Sequence, residues 1–211
     1  MKSEKEVFEK IYEEPGAVWT REVPQQGLVE LVEKKIIKPC KAIDIGCGEG
    51  TDSICLASKG FDVTGIDFSE KAIGYAKENA AKKGVNINFI VLDIDKLSQI
   101  KEKFDFVLEF GFLHHVAFEK RKKYVQDVAN LLKPGGKYLS ACFNEQSPDF
   151  DEKGKKIRKS PVGTTIYYSS IDELKQLFEP YFNIIEAKII EMKGGGKGGF
   201  PHIGNYFFME K

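Results

Sequence analysis

The chain has 211 residues, of which 42% are hydrophobic and 30% are charged, and its 32 lysines and arginines balance 32 aspartates and glutamates. This length predicts a single domain over residues 1–211, with a core that needs no disulfide or metal to hold it. Zero net charge argues against nucleic acid or an anionic membrane as a partner, because both require a positive field. The sequence has no long apolar run and an acidic start, MKSEKEVFEKIYEE, so we expect a cytoplasmic protein.

The N-terminal region, residues 1–36, stands apart from the regular alternation of elements that follows it. An apolar stripe at helical spacing predicts an N-terminal helix and falls on Val7, Phe8, Ile11 and Tyr12. A loop from Pro15 to Pro24 follows and carries Trp19, the sole tryptophan of the chain. Functional loops are often such excursions on a rigid scaffold, so we expect Trp19 to contact a cofactor or a substrate.

From residue 41 onward, short apolar runs alternate with longer amphipathic segments, as is typical of a mostly parallel sheet covered by helices. Five runs rich in Val, Ile, Leu or Phe predict central strands: KAIDIG, FDVTGID, INFIVLD, FDFVLEF and KYLSACF. The segments between them predict helices at Thr51–Ser58, Ser69–Lys83 and Glu119–Leu132. Gly84 and the run Lys133-Pro134-Gly135-Gly136 are stop signals for the last two helices.

The C-terminal third predicts one more helix and a hairpin. A capping box at Ser170 and Glu173 opens a helix that runs through Phe178. NIIEAKIIEM and NYFFME flank the glycine-rich KGGGKGGFPH and predict an antiparallel pair. Residues 144–165, with the basic cluster DEKGKKIRK, are interpreted as a hydrated loop in preference to an anion site. The predicted fold is a doubly wound α/β fold, in which a mostly parallel seven-stranded sheet ends in a C-terminal antiparallel hairpin.

Cysteine and histidine spacing argues against disulfides and metal. The four cysteines include no C-x-x-C pair, and a protein that is not exported keeps its thiols reduced. His114 and His115 are neighbours in the sequence, and adjacent residues rarely aim both rings at one ion. We therefore expect no disulfide and no metal site.

Acidic residues and glycines gather where the predicted strands end. In Asp44-Ile45-Gly46-Cys47-Gly48-Glu49-Gly50, the glycines allow close approach of a ligand, and the following helix presents free N–H groups. Position 51 is threonine, so the spacing differs from the G-x-G-x-x-G of a pyrophosphate cradle. Asp67 and Asp93 end the next two strands, at the edge where open α/β sheets bind ligands. This predicts ribose binding by Asp67, with helix capping as the alternative, while a loop aspartate is the alternative for Asp93.

Four motifs, in this order, resemble those of the class I S-adenosylmethionine-dependent methyltransferases: AIDIGCGEG, VTGIDFS, VLDIDKL and LLKPGGKYLSACF. The resemblance implies S-adenosyl-L-methionine as the methyl donor. An apolar lid, an aromatic collar and the absence of a large insertion favour a small-molecule methyl acceptor. It implies that Asp44 and the Gly46–Gly50 loop hold the methionine portion, and that Asp93 and Ile94 flank the adenine. Glu109 and Phe110 would wall the methyl-bearing end. The residues expected to bind the cofactor are Trp19, Arg21, Asp44, Gly46, Cys47, Gly48, Asp67, Phe68, Asp93, Ile94, Glu109 and Phe110.

The segment WTREVPQQGL, residues 19–28, is similar to the W-x-x-G-x-P-Q-x-x-L entrance of the thiopurine, thiol, halide and tellurite methyltransferases. This likeness implies a lid and first helix over residues 1–36, a cofactor-binding core over 37–144 and a substrate side over 145–211. Where that group has Gly-Arg, this chain has Glu22-Val23, so Arg21 is the remaining candidate for contact with the methionine carboxylate. The favoured acceptor is a soft nucleophile, that is, a thiol, thiopurine, tellurite or halide.

His114 and His115, in GFLHHV after the fourth strand, are the candidates for a catalytic base. The alternative is that one ring packs under the sheet edge and the other touches the cofactor. Thiolates and halides attack unaided, whereas a neutral hydroxyl or amine gains from a base. An aromatic collar is expected from Tyr12, Trp19, Phe112, Tyr167 and Tyr168. Two alternatives stay open: an O- or N-methyltransferase of a small metabolite, and a protein that binds S-adenosylmethionine without catalysis.

Overall fold

The structure is a computed structural model that describes residues 3–147, 155–192 and 202–211. Its α-helices are α1 (Glu4–Ile11), α2 (Gln26–Glu33), α3 (Thr51–Ser58), α4 (Glu70–Lys82), α5 (Phe118–Leu131) and α6 (Ile171–Phe178). Its β-strands are β1 (Lys41–Ile45), β2 (Asp62–Asp67), β3 (Asn88–Val91), β4 (Phe104–Phe110), β5 (Leu132–Phe143), β6 (Ile157–Lys159), β7 (Thr165–Tyr167), β8 (Asn183–Met192) and β9 (His202–Glu210). No helix in the described part of the chain is long and apolar enough to span a bilayer.

The main sheet has seven strands in the order β3-β2-β1-β4-β5-β9-β8. The first five strands in this order are parallel, and β9 is antiparallel to both β5 and β8. This confirms the predicted doubly wound fold with its C-terminal antiparallel pair. The strand order reverses between β1 and β4, and a reversal of this kind opens a crevice at the carboxyl ends of the two strands. The predicted site residues gather on this edge.

Both faces of the central strands are buried, which explains their continuous apolar sequences. On β1, Ile43 and Ile45 pack on the side covered by α5 and α6, whereas Ala42 packs on the side covered by α2 and α3. On β4, Val107 and Phe106 divide between the two sides in the same way. Burial of each large apolar side chain contributes about 1.5–3 kcal/mol. The ends of β1 and β4 therefore present their polar residues from a rigid base.

Part of the segment predicted as a hydrated loop is structured instead, and this prediction was wrong. β6 and β7 form a separate antiparallel pair within residues 144–167. Arg158 is 1% exposed, donates to the carbonyls of Glu145, Ser147 and Lys155, and lies 4.0 Å from the Tyr168 ring. The strands are three residues long and carry charges, so they show no apolar alternation. Residues 151–154 of the basic cluster and residues 193–201 of the glycine-rich segment lie outside the described residues.

The helix before Lys133 ends within one residue of the predicted position, but the glycine-containing run that follows belongs to the strand. α5 ends at Leu131 and β5 begins at once, so that Lys133-Pro134-Gly135-Gly136 forms the start of the strand. The Gly135 N–H donates to the Lys211 carbonyl at 3.0 Å, and the Lys211 N–H donates to the Gly136 carbonyl at 2.9 Å. Pairing with Lys211 explains why these residues join the strand, and that pairing has no local sequence signal.

Candidate functional site

The loop between β1 and α3 needs its glycines for two reasons. Gly46, Gly48 and Gly50 have φ angles of +70°, +53° and +85°, in the left-handed region that other residues avoid. A Cβ on Gly46 would lie 2.3 Å from the Phe112 side chain, so a larger residue would displace that ring. The N–H groups of Gly46 and Cys47 both donate to the Ile66 carbonyl, at 2.8 and 3.0 Å. The loop is therefore tied to β2, beside the residue that precedes Asp67.

Two buried acids flank this loop. Asp67, at the end of β2, accepts hydrogen bonds from the N–H groups of Gly48 at 3.0 Å and Ser69 at 2.9 Å. Asp44, at the end of β1, accepts one from the Ser53 hydroxyl at 2.6 Å. Burial raises the pKa of Asp67 to about 6, and burial together with the charge of Asp52 raises the pKa of Asp44 to about 7. A cationic ligand beside these carboxyl groups would favour their charged forms.

Asp93 and Ile94 lie at the end of β3, on the same edge of the sheet. The Asp93 side chain accepts a hydrogen bond from the Asp95 N–H at 3.0 Å and caps a short 3₁₀ turn that begins at Ile94. Ile94 packs, partly buried, against the core on the α5 side. The turn accounts for Asp93 locally, and the predicted adenine contact of both residues stays a prediction.

The segment from α1 to Thr20 lies across the carboxyl edge of the strands. The Phe8 ring contacts three rings from different elements, Phe68 at 5.5 Å, Trp19 at 5.3 Å and His115 at 5.0 Å between centroids. The Trp19 indole N–H donates to the Tyr12 hydroxyl at 2.7 Å. These contacts bring residues of the N-terminal segment together with Phe68, which follows the ribose candidate Asp67, and with His115, a candidate for the catalytic base.

Glu49 is a site residue that the sequence analysis missed. Its carboxylate accepts hydrogen bonds from the N–H groups of Gly16 at 2.9 Å and Ala17 at 3.1 Å, and from the Thr20 hydroxyl at 2.7 Å. The residue is buried within the glycine-rich loop. The sequence signal for this role was an acidic residue between two glycines, Gly48 and Gly50, together with a polar N-terminal loop that could donate to it. Through Glu49, the glycine-rich loop holds the N-terminal segment over the edge.

Arg21 offers an unused donor at this edge. Its Nη2 donates to Asp52 Oδ2 at 2.5 Å, and its guanidinium lies 4.8 Å from the centre of the Phe110 ring. Its Nη1 is buried and has no hydrogen-bond partner among the described residues. An unpaired buried donor on a charged group is costly, so this atom fits a ligand oxygen such as that of a carboxylate.

Glu109 is enclosed and does not reach the open edge. Its carboxyl group accepts hydrogen bonds from the Leu113 N–H at 3.1 Å, the Tyr138 hydroxyl at 3.3 Å and the Ser140 hydroxyl. Burial raises its pKa to about 8. The side chain was expected to wall the methyl end, but its contacts lie behind the turn that begins at Leu113. Its hydrogen bond with the Leu113 N–H supports that turn from the buried side.

The two adjacent histidines have opposite hydrogen-bonding roles. His114 Nδ1 accepts from the Phe143 N–H at 3.3 Å, so a neutral His114 carries its proton on Nε2. His115 Nδ1 lies 3.2 Å from the Thr165 carbonyl, which only accepts, so Nδ1 carries the proton and Nε2 keeps a lone pair. Burial lowers the pKa of both rings, that of His115 to about 4. Of the pair, only His115 offers a ring lone pair to a ligand.

The aromatic residues form two groups. In one, Phe8, Tyr12, Trp19 and His115 contact each other across the N-terminal segment. In the other, Phe143 stacks on His114 at 3.9 Å and on His202 at 4.3 Å, with Tyr168 at 5.9 Å. Two members of the expected collar join neither group: Phe112 packs between Gly46 and Tyr124, beside the glycine-rich loop, and Tyr167 contacts Phe118.

Residues 36–183 match the protein family described as "Methyltransferase domain". The ubiquinone biosynthesis O-methyltransferase of Coxiella burnetii is 36% identical over 117 residues, which cover 55% of this chain and 49% of that protein. The probable S-adenosyl-L-methionine-dependent methyltransferase TehB of Haemophilus influenzae is 36% identical over 100 residues, 46% of this chain and 35% of that protein. The chain thus spans about half the length, or less, of these two relatives.

Comparison with solved structures supports the same fold. A structure described as "Conversion of a Disulfide Bond into a Thioacetal Group during Echinomycin Biosynthesis" superposes with a TM-score of 0.82 at 23% identity, and the match covers 99% of this chain and 92% of the other. The family match spans the glycine-rich loop, both buried acids and the histidine turn. The chain therefore belongs to the class I S-adenosylmethionine-dependent methyltransferases.

Proposed function

We propose that this chain transfers a methyl group from S-adenosylmethionine to a small soft nucleophile, such as a thiol, thiopurine, tellurite or halide. One observation carries the choice of acceptor. The ring lone pair available from the histidine pair belongs to His115, whose pKa burial lowers to about 4. So weak a base gives little help to a hydroxyl or an amine, whereas a thiol, with a pKa of roughly 8.5, ionises without one.

Several groups on the β1–β2 side of the sheet edge, the cofactor half, support binding of S-adenosylmethionine there. When bound, this cofactor supplies an electrophilic methyl group on a sulfonium centre. Asp67 would accept hydrogen bonds from the ribose hydroxyls, and the buried Nη1 of Arg21 would donate to the methionine carboxylate. Asp44 and the glycine-rich loop would lie along the methionine portion. The raised pKa values of Asp44 and Asp67 are consistent with a cationic ligand that completes this set of charges.

The acceptor half would act by position and by exclusion of water. Phe8 and Trp19 close over His115 from the N-terminal segment, so an acceptor held there is surrounded by rings. The His115 Nε2 lone pair would accept a hydrogen bond from the S–H of a neutral thiol and orient it toward the methyl group, whereas a halide, which has no proton to donate, would be held by the rings alone. Holding two reactants at attack distance contributes about 7–11 kcal/mol to catalysis. Position alone is therefore a sufficient source of rate for an acceptor that ionises by itself.

A second candidate is O- or N-methylation of a small metabolite. The defined Nδ1–H tautomer of His115 favours it, because the Nε2 lone pair is presented in one direction, as a general base requires. The ubiquinone biosynthesis O-methyltransferase among the relatives is consistent with this reading. In that case the low pKa of His115 would limit the rate at which a weakly acidic hydroxyl reacts.

Matched acceptors distinguish the two candidates. Thiophenol and phenol share a ring and differ in the attacking atom, so each is incubated with methyl-labelled S-adenosylmethionine and the methylated product is measured by mass spectrometry. We expect methylation of thiophenol, with kcat at saturating thiol within about threefold of wild type in both His114→Ala and His115→Ala. Phenol turnover that His115→Ala abolishes would favour the second candidate. Binding of S-adenosylhomocysteine without turnover of either acceptor, or of tellurite and iodide, would contradict methyl transfer.

A further inference from the structure

Arg121, on α5, is a buried cation that the proposed reaction does not use. It is 4% exposed, and its guanidinium makes four hydrogen bonds, none of them to a carboxylate. Nε donates to the Val116 carbonyl at 2.9 Å, and Nη1 donates to the Ser169 hydroxyl at 2.5 Å. Nη2 donates to the carbonyls of Leu113 at 3.2 Å and Tyr167 at 2.7 Å. Burying a charged guanidinium costs a large desolvation free energy, so a structural or functional role for Arg121 is expected.

The four acceptors belong to two segments that face each other. Leu113 and Val116 begin and follow the short turn that carries His115, whereas Tyr167 and Ser169 lie at the end of β7 and just beyond it. Arg121 thus joins two pieces of chain that are about fifty residues apart in the sequence. The planar fork of five donors in a guanidinium can span such a set, and the single ammonium group of lysine cannot.

The hydrogen bond that fixes His115 crosses the same gap. His115 Nδ1 donates to the Thr165 carbonyl at 3.2 Å, and Thr165 is the first residue of β7. A change of a few tenths of an ångström in the spacing of the two segments would lengthen this bond beyond useful range. Without it, a neutral histidine is free to carry its proton on either nitrogen.

We propose that Arg121 is a positioning residue that fixes His115 as the Nδ1–H tautomer by holding the turn at residues 113–116 against the end of β7. This assignment rests on the proposed function only in placing His115 beside the acceptor, since the tautomer exists without turnover. The charged and titratable groups around His115 are the neighbouring His114, Glu4, whose carboxylate accepts from the Thr165 N–H at 2.5 Å, and Lys159, which donates to the Thr165 hydroxyl at 2.6 Å.

Ring nitrogen spectra test this assignment directly, because the chain has three histidines and each can be assigned by substitution. Long-range proton–nitrogen correlation at pH 7.5 on histidine-labelled protein reports which nitrogen of each ring carries the proton. In wild type we expect His115 as the Nδ1–H tautomer and His114 as the Nε2–H tautomer. In Arg121→Met we expect His115 to become a mixture of the two forms.

Arg158→Met is the matched control, because Arg158 is equally buried and also donates to backbone carbonyls, at Glu145, Ser147 and Lys155. It should cost comparable stability and leave the His115 spectrum as in wild type. If Arg121→Met does not fold, Arg121→Lys and Ser169→Ala remove part of the contact set and should shift the tautomer ratio less. A wild-type His115 pattern in every folded Arg121 variant would overturn the proposal. A shifted pattern in a protein that methylates no acceptor would uphold the positioning role and reject the proposed function.

Discussion

The two halves of the sheet edge, both at the carboxyl ends of parallel strands, are assembled in different ways. On the β1–β2 side, Asp67 bonds Gly48 and Ser69, and the loop bonds Ile66, so the contacts join neighbouring motifs. On the β4–β5 side, His115 meets Phe8 from the N-terminal segment and Thr165 from β7. The first half is built mainly from contacts between neighbouring motifs, although Glu49 also reaches the N-terminal segment, and the second depends on contacts with segments distant in the sequence. The first half, with its contacts between neighbouring motifs, is the expected place for a cofactor that a whole family shares. The second half is the expected place for an acceptor that varies between members.

The largest effect should follow from Asp67→Ala, which removes the acid from the cofactor half. We expect the affinity for S-adenosylhomocysteine, measured by calorimetry, to fall about 100-fold, because hydrogen bonds to a charged group contribute about 1.5–3 kcal/mol each. Asp62→Ala is the control, since Asp62 begins the same strand and its side chain is 75% exposed. An affinity of Asp67→Ala within twofold of wild type would contradict the proposal that the β1–β2 half binds the cofactor.

Arg21→Met should weaken S-adenosylhomocysteine by about tenfold and leave methylthioadenosine, which lacks the methionine carboxylate, unchanged. The reason is the unpaired buried Nη1, which has a partner only when a ligand carboxylate is present. Calorimetry with both ligands separates this loss from a general change of the fold. Equal loss for both ligands would show that Arg21 acts through its ion pair with Asp52 instead.

Glu49→Ala should loosen the N-terminal segment from the glycine-rich loop. Three donors of the N-terminal segment lose their acceptor, so we expect amide hydrogen exchange in residues 16–20 to accelerate about tenfold. Glu49→Gln keeps an acceptor oxygen, so its exchange rate in residues 16–20 should lie between those of wild type and Glu49→Ala. Unchanged exchange in Glu49→Ala would mean that the aromatic contacts of Phe8 and Trp19 hold the segment without help.

The smallest effect concerns the buried acid under the histidine turn. The pKa of Glu109 is about 8 in the folded protein against an ordinary 4.5, so the folded state keeps a proton that the unfolded chain releases between these values. The free energy of unfolding should therefore fall as pH rises from 5 to 8. In Glu109→Gln this fall should be smaller by about 1.4 kcal/mol or more, the value of one pKa unit, in urea titrations. Glu119→Gln, at an exposed position on α5, should keep the wild-type slope.

The contrast between the halves also explains what the sequence could and could not predict. The seven-stranded sheet and the glycine-rich loop have local signals, so both were predicted, and the fold is confirmed. Contacts between His115 and Thr165, or between Glu49 and Gly16, join residues that local patterns do not relate. Arg158 was interpreted as part of a hydrated cluster because charged runs usually are, and three-residue strands give no periodic signal.

A crystal structure with S-adenosylhomocysteine bound tests the central claim most directly. We expect ribose hydroxyls on Asp67, the methionine carboxylate on Arg21 Nη1, and His115 Nε2 as the protein lone pair nearest the position of the lost methyl group. Attack distance there is about 3–3.5 Å. A carboxylate of the protein at that distance from the methyl position, or a ribose that does not touch Asp67, would contradict these assignments.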